Sequence, residues 1–217
     1  MEWKKLLSSK RLGKETPEKV APGRSPFQQD FDRIVFSSAF RRLQDKAQVF
    51  PLAANGYVRT RLTRSMEVSC IGRSLGAGAG VFIAANHDIG NIQPSDIGAI
   101  VAAASLSHDI GNPPLGHSGE EAIRYWFCNS DIAKAMRRDM TAKQCADIER
   151  YEGNAQGFRV LARLQMPDNP GGMQLTCATL GAFTKYPVES YVRDLPGGVA
   201  SKKFNFFQLD RELFAEV

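Results

Sequence analysis

Residues Ala102–Glu120, AAASLSHDIGNPPLGHSGE, decide how the chain is read. An apolar run ends in His108-Asp109, a turn Gly111-Asn112-Pro113-Pro114 follows, and His117 precedes a second helical pattern. Two of the three histidines of the 217-residue chain fall within this stretch. Adjacent His and Asp at a helix end offer an imidazole nitrogen and a carboxylate oxygen to one divalent metal. Upstream, Ile97, Val101 and Ala104 recur at helical spacing and put His108 on the same inward face. His108 therefore reads either as a core histidine or as a metal ligand. His117 and Glu120 stand three apart at a helix start. Glu120 there either orients the imidazole of a general acid or base or simply complements the helix dipole. Ser118 is the expected N-cap, with Glu121 closing a capping box.

Outward from this stretch the periodicity is helical throughout. The expected fold is an all-α bundle with at most one short β-hairpin near residues 49–59, where Asn55-Gly56 lies between apolar residues. Residues 1–29, with Pro17, Pro22, Gly23 and Pro26, read as an N-terminal arm carrying one short helix at Trp3–Leu7; residues 30–217 form the domain. Helices are expected over Phe31–Leu43 with Asp30 as N-cap, and over Arg59–Leu75, which Gly76, Gly78 and Gly80 end or loosen. Another starts at Pro94-Ser95 with Ser95 as N-cap. Further helices are expected over about Ala146–Gln165, Leu175–Tyr186 and from Leu209. The sequence stops inside that last pattern, which reads as a truncated chain or an abbreviated relative of something longer. Leu62, Met66 and Cys70 form an apolar stripe on the 59–75 helix, which makes Cys70 a small core residue.

Charge and cysteine usage narrow the classes. Lys and Arg outnumber Asp and Glu by 28 to 23, and this modest excess favours an anionic partner or is only a solvated basic surface. The four cysteines include no C-x-x-C pair, against a structural zinc site. No run approaches the roughly 18 apolar residues of a membrane span, and the N-terminus lacks an apolar signal core. The expectation is a reduced, cytoplasmic protein without a membrane segment. Arg59, Arg61, Arg64 and Arg73 cluster on one helix, at spacing that suits a polyphosphate or a solvated helix face. A second His-Asp-Ile-Gly, His87–Gly90, falls in an expected loop and reads as solvated.

The segments RRLQDKAQVFPL, VRTRLTRSMEV, SHDIGNPPLGHSGEEAI and YEGNAQGFR, with GGVASKKFNFFQ near the end, occur in this order. Together they resemble the signatures of the deoxyguanosine triphosphate triphosphohydrolase family of HD-domain phosphohydrolases, from about Trp3 to the last residue. The resemblance implies a helical, metal-dependent hydrolase that converts a dNTP, dGTP favoured, into deoxynucleoside and tripolyphosphate. It implies a divalent ion, Mg²⁺ or Mn²⁺, with His108 and Asp109 as ligands, and His117 with Glu120 as the catalytic pair. Gln48 and Val49 would line sugar and base, Arg61 would contact phosphate, and Glu152 and Asn154 would lie near the polyphosphate. It also implies a homo-oligomer and regulation by nucleotides or single-stranded DNA.

Two departures stand out. Where the family pattern reads RLTHS, this chain has Arg61-Leu62-Thr63-Arg64-Ser65, and a guanidinium cannot ligate a metal. The motif carrying the family's last Asp ligand lies beyond Val217. Three functions therefore compete: a metal-dependent dNTP triphosphohydrolase; a non-catalytic remnant that binds nucleotide, DNA or a protein; and an HD hydrolase acting on another phosphoester.

Overall fold

The computed structural model describes residues 2–16, 23–46, 59–191 and 203–217. Among these the regular elements are helices, and two isolated bridges, Arg11–Thr176 and Glu189–Phe206, are the only β pairing. The all-α expectation is met. The expected hairpin near 49–59 lies almost wholly outside the described residues.

Helix α5 (Pro94–Ser107) runs through the centre, with Ile97, Gly98, Ile100, Ala102, Ala103, Ala104, Leu106 and Ser107 buried. It is apolar nearly all round, as a core helix must be. Around it pack α2 (Pro26–Phe36), α4 (Arg61–Asn86) and α10 (Cys177–Phe183). The main core joins Leu12, Ile34, Leu43, Leu106, Phe158, Leu161 and Leu180. A second cluster at the opposite end of α5 holds Leu7, Phe27, Ile83, Ile89 and Ile97. The stretch expected as an arm begins with α1 (Trp3–Leu6) and then contributes Leu12 and Arg11 to the interior. Arg11 donates to Asp30 (2.6 Å), Gln29 (2.9 Å) and the carbonyls of Gln174 (2.9 Å) and Pro26 (3.2 Å).

Several boundaries differ from the sequence reading, each for a local reason. Helix α2 starts at Pro26 because Ser25 and Gln28 form a capping box, so Asp30 is an interior, buried residue and not a cap. The expected 31–43 helix breaks at Ser37, whose hydroxyl donates to Ile34 O (2.7 Å) and accepts from Phe40 N (3.1 Å). It thereby closes α2 and opens α3 (Ser38–Arg41). Helix α5 is capped by Gln93, not Ser95, with Asp96 accepting from Gln93 N at 3.0 Å. The chain enters α6 (His117–Asn129) through left-handed Leu115 and Gly116, so Ser118 is already helical and the Ser118–Glu121 box does not form. Helix α7 (Asp131–Arg137) follows directly. The expected 146–165 helix is three pieces: α8 (Ala142–Glu149), α9 (Gly153–Arg159) and a π-turn, Val160–Leu164.

Helix α4 reverses the expectation most fully. It runs 26 residues to Asn86, straight through its glycines. Its buried face is Ser65, Ser69, Gly72, Gly76 and Gly80, while Met66, Cys70, Ile71, Leu75, Val81 and Phe82 are exposed. Cys70 is therefore not a core residue. Small side chains let α4 lie almost backbone to backbone on α5: a Cβ on Gly76 would sit 2.9 Å from the Val101 side chain. By length and composition α4 is apolar enough to cross a membrane, with an 18-residue window of mean hydropathy 1.4. Val68, Cys70, Ile71, Leu75, Val81, Phe82 and Ile83 carry most of that value, spread among small and polar residues where no unbroken apolar run exists.

Candidate active site

Where α5 ends, His108 is its C-cap and Asp109 begins the turn. His108 Nδ1 lies 2.7 Å from Ser105 O and so carries the proton, leaving Nε2 facing Asp109 Oδ1 at 3.4 Å. Burial pushes the His108 pKa below the usual imidazole value, opposed by Asp109 and the Ser105 bond and assisted by the charges of Lys185 and Arg64. The ring opens onto a recess of about 260 Å³ lined also by Val68, Ser105, Phe183 and Lys185.

Both oxygens of the buried Asp109 carboxylate are engaged. Oδ2 accepts from Arg61 Nη1 at 2.9 Å, and Oδ1 accepts from Asn112 Nδ2 at 2.7 Å. Arg61 opens α4, which Thr60 caps by accepting from Thr63 N. Lys46 donates to Asn112 O at 2.7 Å. Its pKa is lowered, chiefly by burial and then by Arg61 and Arg42. Asn112 is thus the hub of the turn, holding Asp109 with its side chain and Lys46 with its carbonyl.

The second half of the site sits on the first turn of α6. His117 Nδ1 lies 2.9 Å from Glu120 Oε2; the imidazole is 79% exposed and the carboxylate 2%. Glu120 has two further donors, Arg124 Nη2 on Oε2 (3.3 Å) and Gly153 N on Oε1 (2.8 Å). Arg124 also donates to Tyr151 O at 2.8 Å, tying α6 to the segment before α9. Sequence reasoning missed Arg124; its signal is the i,i+4 spacing from Glu120 on one helix face. Tyr151 is pushed up to about 12, by burial first and then by the carboxylates of Glu120 and Glu152.

Glycines bring α9 against both halves. A Cβ on Gly111 would lie 2.1 Å from Gly157 N and 2.2 Å from Gly153 O, so the turn after Asp109 rests on α9 backbone. Buried Glu152 stands in the break before α9 and accepts from Asn154 Nδ2 (2.7 Å) and Lys203 Nζ (3.3 Å).

The structure thus gathers His108, Asp109, His117, Glu120, Arg61, Glu152 and Asn154 around one turn. Gln48 and Val49 lie outside the described residues. Arg64, one helical turn beyond Arg61, is exposed, and its charge is felt at His108. Arg59 pairs with Glu67 (3.3 Å) away from Asp109. The other His-Asp pair stands apart, with Asp88 on Lys4 (2.5 Å) and the His87 ring 6.0 Å from that of Trp3. A divalent metal does not fit the donors present. Two candidate ligands face each other, one carboxylate already bonds a guanidinium, and no group of three or more His, Cys, Asp or Glu among the described residues could hold an ion.

No protein-family model matches the chain. Curated proteins do. A deoxyguanosinetriphosphate triphosphohydrolase-like protein of Synechocystis is 51% identical over 225 residues, covering 100% of this chain and 50% of the relative. Proteins of the same name from Pseudomonas aeruginosa (45% over 218 residues; 100% and 48% covered) and Listeria monocytogenes (43% over 227 residues; 100% and 49% covered) match likewise. The chain spans about half the length of the curated relatives it matches. Identity at this level along the whole chain, with the ordered motifs gathered at one turn, places it: the chain belongs to the deoxyguanosinetriphosphate triphosphohydrolase-like family.

Proposed function

We propose that this chain is the phosphate-binding and proton-transfer portion of a dNTP triphosphohydrolase, with dGTP the favoured nucleotide, and that with Arg64 in place it binds the nucleotide without turning it over. The observation that carries this is the contrast between the two halves of the site. The His117–Glu120 pair is fully assembled, while Asp109 is already paired with Arg61.

The relatives' name points to hydrolysis of dGTP at its triphosphate. In the reaction implied for this family, water adds at the α-phosphorus, the bond to O5′ breaks, and the departing O5′ takes up a proton. His117 is suited to moving that proton. Its Nδ1 is fixed on Glu120, and its Nε2 faces solvent, where substrate would stand. Glu120 is a positioning residue, held by Arg124 and the Gly153 amide. Arg61, Arg64, Lys46 and Lys185 supply positive charge for the phosphates. The Mg²⁺ or Mn²⁺ expected from the resemblance would draw on His108 and Asp109. The donors present do not fit it.

Incubation with dGTP and Mg²⁺ or Mn²⁺, with tripolyphosphate measured by ion-exchange chromatography, is expected to show no release above the blank, while calorimetry shows dGTP bound. Robust release that His117→Ala abolishes would refute the loss of turnover. Absence of dGTP binding would refute the assignment of a nucleotide site.

A further inference from the structure

The face of α4 that meets the His108–Asp109 corner carries residues 61, 64 and 68. Arg61, at one end, bonds Asp109 at 2.9 Å. Val68, at the other, lines the recess onto which His108 opens. Residue 64 lies between them, one turn from each. Lys185 lines the same recess from beyond α10. Lys46 closes the opposite side through Asn112.

Among the described residues, four basic side chains, Lys46, Arg61, Arg64 and Lys185, stand around the corner, where Asp109 is the carboxylate beside His108. A divalent cation entering here would meet this excess of like charge and would have to displace Arg61 from Asp109. A multivalent anion would relieve the same excess, and guanidinium groups bind phosphate oxygens in pairs.

We infer that Arg64 converts the His108–Asp109 corner from a metal seat into a metal-independent seat for a polyphosphate, the triphosphate of the bound nucleotide. The inference rests on the nucleotide-binding reading above and adds to it that no metal is required. The cationic side chains would meet the phosphates directly, in the place where the family resemblance expects a metal ion.

Calorimetry with sodium tripolyphosphate and with dGTP, in EDTA and again with Mn²⁺, tests it, alongside electron paramagnetic resonance of Mn²⁺ without nucleotide. The wild-type chain is expected to bind both ligands in EDTA and to leave the Mn²⁺ signal that of the free ion. Arg64→Gln should weaken tripolyphosphate about ten- to hundredfold, the loss of one or two charge-assisted hydrogen bonds, and gain no Mn²⁺. Arg64→His should lose a similar factor in EDTA and acquire stoichiometric Mn²⁺ binding, since it adds a third donor to the corner. Residue 64 is exposed, and a thermal melt confirms that both variants fold. Binding that appears only when Mn²⁺ is added overturns the inference and leaves the nucleotide reading standing. So does an Arg64→Gln chain that binds like wild type. Failure to bind in either condition overturns both.

Discussion

Replacing Gly80 or Gly78 by alanine, two positions apart on α4, should shift stability in opposite directions. Both lie in a helix interior, where alanine is favoured over glycine by about 1 kcal/mol. At Gly78 a Cβ would meet nothing within 4 Å, so that gain is realised in full. At Gly80 it would lie 2.8 Å from Pro94 O, 2.9 Å from Pro94 Cα and 3.2 Å from Pro94 C. These are backbone atoms at the start of α5 and cannot rotate away. Forced overpacking costs about 1–3 kcal/mol, which exceeds the propensity gain over most of its range. For a chain of this size each kcal/mol moves the melting temperature by about 2–4 °C. Gly78→Ala should therefore raise Tm by about 2–4 °C, and Gly80→Ala should lower it by a few degrees. Far-UV circular dichroism melts of the three proteins measure the difference. Equal increases for both would refute the close seating of α4 on α5, and with it the geometry that brings the charge of Arg64 near His108.

Acidification should destabilise the chain partly through His108. Its folded pKa is lowered, mainly by burial, so below about pH 6.5 the unfolded chain takes up a proton that the folded chain refuses. Stability then falls from about pH 6.5 down to the lowered folded pKa; urea titrations across that window should show a shallower pH slope for His108→Asn, and an unchanged slope would count against the burial. Arg124→Met should cost about 1 kcal/mol by leaving Tyr151 O unpaired and loosening Glu120. The Gly153 amide, which Glu120 accepts, should exchange with solvent faster than in wild type, and unchanged protection would remove Arg124 as a positioning residue.

Sequence pattern anticipated which side chains would stand together better than it anticipated the helices that carry them. His117 and Glu120 are three apart, and His108 and Asp109 are adjacent, so short-range spacing alone placed each pair. The face of α4 was beyond it. Large apolar residues are ordinarily the buried ones, yet Met66, Ile71 and Leu75 face out because the contact with α5 is made by Gly72, Gly76 and Gly80. That rotation decides that Arg61 bonds Asp109 while Arg64 stands a turn away. The breaks at Ser37 and before Gly153 were equally hidden. Each is set by a tertiary or capping bond, the Ser37 hydroxyl on Ile34 and Phe40 and the Gly153 amide on Glu120, within sequence that otherwise favours helix.

The two halves of the site differ in what fixes them, and this makes one separable from the other. The His117 half is closed by local bonds: His117 on Glu120, Glu120 on Gly153, and Arg124 bracing Glu120 and Tyr151. The Arg61–Asp109 half depends on α4, a separate element whose register rests on glycines far along the helix. The two meet at Gly153, where a Cβ would come within 2.4 Å of Asn112 Oδ1 and 2.7 Å of Glu120 Oε1. Asn112 holds Asp109, and Glu120 holds His117, so backbone at residue 153 sets the spacing of the halves, with Arg61 of α4 packed against Gly116 at the entry to α6. A change at position 64 can therefore alter what the corner binds while His117 keeps its place. Such a division leaves the His117–Glu120 pair assembled whichever residue stands at position 64.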